Sequence, residues 1–197
     1  MIWSKLKLGT KFMLVVGIVI TVFLGTNLYI SVSRQENQLM NQLVGKAKLI
    51  ATQLMIDRQW AAKAYINKKL LIEPTQMNVE TAKIADSSGL YNIRLISSTP
   101  INPDNSPKDD FEKTGLRALE EGKPTYSSVA KTGSGNVYRW MTPDKITSEA
   151  CIECHENKKV GDVLGAMSVT VPMGEVETAI RSNSLILTGI AATMIFL

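Results

Sequence analysis

The chain has 197 residues, 45% of them hydrophobic, and 22 Lys and Arg against 18 Asp and Glu give a net charge of +4. Lys5, Lys7 and Lys11 all precede the first apolar run. Without them 19 basic residues face 18 acidic ones, so the excess marks membrane topology, and no nucleic-acid partner is expected.

Residues 1–11 read as a cytoplasmic N-terminus. Phe12 to Val32 carries no charge and matches the ~20 residues that a bilayer-spanning helix requires. The lysines before it hold the N-terminus in the cytoplasm and send the following segment outside, with Trp3 and Tyr29 near the two interfaces. A cleaved signal peptide ending at Ser31-Val-Ser33 is the alternative, but the run exceeds an h-region of ~7–15 residues. The expected location is therefore the bacterial inner membrane, with residues 33–182 forming a periplasmic domain.

From Ser33 to about Leu71 no proline occurs, and Leu39, Leu43, Ala47, Ile50 and Leu54 recur at helical spacing. Met40, Val44, Ala51 and Met55 form a second stripe, which suits a homodimer through this helix as well as one broad core face. Glu73-Pro74 ends the helix, and Val79 to Asp86 predicts a short second one. Tyr91 to Ser98 alternates as a strand, and the Pro-rich stretch Thr99 to Pro107 reads as an extended loop. Asp109 or Asp110 caps a helix over Phe111 to Glu121, which Gly122 stops. Tyr126 to Ala130 and Val137 to Met141 form a hairpin around Thr132 to Asn136. Val163 to Val171 is a further strand, and Gly174 to Asn183 leads as a helix into a second apolar run. That run, residues 183–197, reads as the start of a second transmembrane helix. Its 14 residues from Ser184 to Leu197, all uncharged, at ~1.5 Å rise reach about 21 Å, short of the ~30 Å hydrocarbon core. The whole predicts an α+β domain, a small antiparallel sheet with helices, flanked by transmembrane helices.

Between the hairpin and the last strand, Cys151-Ile-Glu-Cys154-His155 gathers both cysteines and the single histidine of the chain. Two thiols three positions apart can add across the vinyl groups of one haem, and the histidine after them can ligate its iron, so the motif is a haem c attachment site. A structural zinc site would need four ligands, and no third cysteine or second histidine completes it. A thioredoxin-like dithiol would open a helix after a βαβ strand, whereas this one follows the polar segment Thr142 to Ala150. A Cys151–Cys154 disulfide would close too small a loop to stabilise much.

The segments Ser97 to Pro107, Phe111-Glu112, Tyr138-Arg139 to Pro143, Cys151 to His155 and Gly165 to Pro172 together resemble the Tll0287-like haem domain. The resemblance implies a PAS-like fold with one haem c, found alone or as the extracytoplasmic input of signal transducers. Some members of that family draw a sixth iron ligand from a cysteine of the N-terminal helix, which this chain lacks. Elimination among the methionines favours Met55, then Met77, then no protein ligand. Arg139 could hydrogen-bond a haem propionate, or be an exposed strand arginine. Tyr138 and Trp140 could line the haem or pack as plain core. No catalytic constellation is visible, so no enzyme is expected. The leading expectation is a redox or gas sensor with a cytoplasmic output domain. The alternative is a membrane-anchored electron-transfer cytochrome with a redox partner protein.

Overall fold

The computed structural model describes residues 7–66, 74–100, 102–147, 149, 152, 155 and 157–196; Cys151 and Cys154 lie outside them. The chain divides into two units, Met1–Asn41 with Glu175–Leu197 and Gln42–Gly174.

The first unit holds the two long uncharged apolar runs. Helix α1 runs unbroken from Leu8–Ile66, so the apolar run and the amphipathic stretch after it form one helix. Nothing in the sequence of Val32-Ser33-Arg34 breaks a helix, since no proline or glycine occurs there. Among the described residues α1 is the one helix long and apolar enough to cross a membrane. The C-terminal segment belongs to a second helix, Gly174–Phe196.

The second unit is built on a sheet. Strands β1 (Asn92–Ile96), β2 (Tyr126–Thr132), β3 (Gly135–Lys145) and β4 (Val163–Pro172) lie in the order β1-β4-β3-β2, all pairs antiparallel. With helices α2 (Pro74–Ser88) and α3 (Asp110–Glu120) beside it, the unit has the predicted α+β architecture. The helix that closes the unit and continues as Gly174–Phe196 is α4. Helix α2 starts earlier than Val79, and Pro74 opens it instead of only ending the previous helix, because a proline in the first turn forfeits no helical hydrogen bond. Strand β3 is also longer than its apolar core, extending through Pro143 to Lys145.

The pleat separates two packed faces. On one, Ile96, Met141 and Ala166 meet Leu116 and Leu119 of α3, with Phe111 and Tyr126 at the margin. Two glycines permit this closeness: a Cβ on Gly115 would come 2.5 Å from the Met141 sulfur, and one on Gly165 would collide with the Ile96 carbonyl. The opposite face carries Ile93, Leu95 and Met167, which line a cavity of about 20 Å³ together with Leu54 of α1 and Thr81 and Ala82 of α2. Helix α1 turns Ala47, Ala51 and Ala61 inward, all buried.

The α3 face also holds a charge network. Glu112 is 2% exposed and accepts from Arg94 Nη1 at 2.6 Å and from the Lys108 amide at 2.9 Å. Arg94 also donates to the carbonyls of Asp104 and Ser106, which fastens the Pro-rich loop and its single 3₁₀ turn, Pro103–Asn105. Asp109 caps α3 by accepting from the Glu112 amide and takes a 2.6 Å hydrogen bond from Arg139.

Burial alone would raise the Asp109 carboxyl, but the hydrogen bonds from Arg139 and the Glu112 amide, with the charges of Arg139 and Arg94, outweigh it and hold the carboxyl below 3.8. A carboxylate with a lowered folded pKa adds stability that is fully present above its unfolded value and is lost as pH falls through the folded one. Asp109→Asn keeps a cap acceptor but removes that charge. Urea unfolding at stepped pH should therefore show wild type more stable above about pH 4, with the gap closing at lower pH; a gap constant down to pH 2 would refute the linkage.

Candidate functional site

The loop bearing the CxxCH motif leaves the sheet at Lys145 and returns at Val163, and these two residues are register partners. Its base is shut by two backbone hydrogen bonds, Ile146 N–H to Asp162 O at 2.9 Å and Gly161 N–H to Ile146 O at 2.8 Å. Gly161 has φ +99°, a conformation in which other residues are strained, so glycine is the residue that lets the chain turn back there. Ile146, 1% exposed, anchors the base from below. Within the loop the described backbone winds with bonds three residues apart: Ile152 N–H to Glu149 O, His155 N–H to Ile152 O and Lys158 N–H to His155 O, at 2.9 to 3.1 Å. A turn of this pitch suits a motif whose reactive positions are three apart.

His155 is half-buried. Burial and then the Arg58 charge, with help from Lys158, hold its proton affinity below the ordinary imidazole value, against the opposing effect of Asp144. The net effect favours the neutral ring, which is the form that ligates a metal. A half-buried imidazole that follows directly on two cysteines in the sequence, in a loop held at both ends, is a donor that suits a haem iron. Cys151 and Cys154 themselves fall outside the described residues.

Arg58 and Asp144 bring α1 to this place. Their side chains form an ion pair and are 21% and 12% exposed. Asp144 stands where the β3–β4 register shifts, two residues before the loop base. By strand alternation it shares its face of the sheet with Trp140 and Tyr138, which are both buried. Met55 is half-buried on α1, one turn before Arg58, while Met77 is half-buried on α2.

Arg139 does not join this group. It lies on the α3 face, bonded to Asp109, 3.6 Å from Glu112 and 4.2 Å over the Phe111 ring. There its fork is paired with carboxylates of its own chain. The residues that sequence reading passed over are Arg58 and Asp144. A signal was present for one of them: Arg58 continues the helically spaced apolar series Ala47, Ala51, Leu54 and Ala61 as its single charge.

The crystal structure of the cyanobacterial heme-protein Tll0287 is similar at 17% identity and a TM-score of 0.47, covering 66% of this chain and 94% of that one. No curated relative matches the sequence. The sequence profile of the Tll0287-like family matches residues 35–172, from α1 through the last residue of β4. The match takes in the CxxCH loop and well over half of the chain, and the protein belongs to the Tll0287-like family.

Proposed function

We propose that this chain is a membrane-anchored, single-haem c-type cytochrome domain of the bacterial periplasm, acting as the redox or gas-sensing input of a signal transducer. The carrying observation is the Cys151-Ile-Glu-Cys154-His155 motif inside the family match, with a half-buried imidazole at its end. Cys151 and Cys154 would hold the haem, and His155 and Met55 would ligate its iron. When bound, the group supplies one-electron chemistry and, if its sixth ligand is labile, a seat for a small gas. The chain's own residues orient and shield that group. The closed loop base ties down the loop that carries His155, burial and then the Arg58 charge favour its neutral ring, and Leu54 of α1 packs on one face of the sheet.

A sensor needs an element that differs between two states. Helix α1 is suited to this, since one helix carries the apolar run, Met55 and Arg58. We also propose a homodimer through this helix. Ala51 is fully buried and Met40, Val44 and Met55 are half-buried, whereas Leu49, Ile56 and Trp60 are 69%, 54% and 66% exposed on the far side of the helix. Membrane anchoring would set two copies parallel, with this seam between them. Sedimentation of the full chain in detergent should then give a dimer that Ile56→Lys converts to monomer; an unchanged monomer in wild type would rule the seam out.

Haem staining on a denaturing gel should show covalent haem in wild type, less in Cys151→Ser or Cys154→Ser, and none in the double variant. Retention in the double variant would overturn the attachment site.

Replacing Met55 with Ala should remove a weak thioether-to-iron band at the red end of the oxidised spectrum and open the site to carbon monoxide. An identical spectrum would transfer the role to Met77 or to no protein ligand. Inert six-coordinate haem in both proteins would favour the electron-transfer cytochrome over the sensor.

A further inference from the structure

We infer that Arg58 and Asp144 form a two-state clasp, which ties helix α1 to the neck of the CxxCH loop so that helix and neck open and close together. What the clasp would transmit rests on the sensor reading above; the clasp itself stands on contacts within the chain.

Ala47, Ala51, Leu54, Arg58 and Ala61 recur at spacings of four, three, four and three, which sets them on one face of α1. The three alanines are buried, and each offers only a methyl group. Contacts of that kind are non-directional, so they hold a helix down without fixing where it sits along its axis. Arg58 differs. Its guanidinium reaches a residue 86 positions away, the Asp144 carboxylate, in a directional bond that fixes one point of the helix.

Asp144 is placed to pass that point on. The β3–β4 register shifts between Asp144 and Lys145, and two residues after Asp144 comes Ile146, which makes both backbone bonds of the neck. Movement of the Asp144 side chain therefore acts close to those bonds. The two side chains are 21% and 12% exposed, so a half-withdrawn arginine would leave a carboxylate buried without its partner. A fully open clasp lets water reach both groups. Intermediate separations are thus disfavoured, which is what an element with two states requires.

The test is native-state hydrogen exchange on the full chain in detergent. Arg58→Gln should reduce protection about tenfold over residues 51–61 of α1 and also at the Ile146 and Gly161 amides of the neck, while the β2–β3 hairpin keeps its wild-type rates. Asp144→Asn should do the same from the strand side, and it gives the reading if Arg58→Gln does not fold. Arg58→Lys, which keeps the charge, should stay near wild type in both places. The double variant Arg58→Gln/Asp144→Asn should lose no more than either single, since each single already opens the clasp. A brace that only adds stability would lower protection evenly along the chain, and a plain helix contact would loosen α1 with the neck unmoved. Either result, or losses that add in the double variant, overturns the inference. The exchange readout needs no iron, and haem staining of the same samples reports separately on the haem reading, which a colourless wild type would overturn.

Discussion

The ladder between β3 and β4 is the constraint from which the candidate site follows. It sets Lys145 beside Val163, so whatever the chain does between them must start and finish at one point on the sheet edge. The backbone bonds of Ile146 with Gly161 and Asp162 then tie the loop at its neck. The ladder also assigns directions. Because successive side chains alternate, Arg139 and Asp144, only five positions apart on one strand, project to opposite faces. One meets α3 and the other meets α1.

That division gives the two faces different electrostatic tasks. On the α3 side, two arginines and two carboxylates neutralise one another around the buried Glu112, and removing one partner from such a group costs roughly 3–5 kcal/mol because a buried charge is left uncompensated. Their work is structural, since they hold the Pro-rich loop and the start of α3 against the sheet. On the α1 side the pairing is sparser, an ion pair between Arg58 and Asp144 that joins the helix to the end of β3. The same residue types thus tie down different elements, and the sheet between them decides which.

The local elements could be read from the sequence because their causes are local. Asp109 caps α3 as its side chain dictates, Gly122 with φ +100° follows the helix, and the Thr132–Gly135 turn closes a hairpin where glycines permit one. The CxxCH motif was equally plain, since its meaning lies in a spacing. What was not legible depended on pairing across the chain. The Arg58 contact bridges a sequence separation that no periodicity reports, and Arg139 looked free only because Asp109 and Glu112, which occupy it, lie about 30 positions upstream on another element. The continuity of α1 was hidden by the change in composition after Val32, because such a shift reads as a boundary while the backbone needs no break there.

The knotted neck of the CxxCH loop bears on how the protein matures. Among the described residues, the backbone bonds that close it run between Ile146, Gly161 and Asp162. The strands can therefore zip together before any prosthetic group arrives. Assembly of the scaffold and the taking up of a haem are then separable events. A chain that misses the second would persist as a folded, colourless apoprotein.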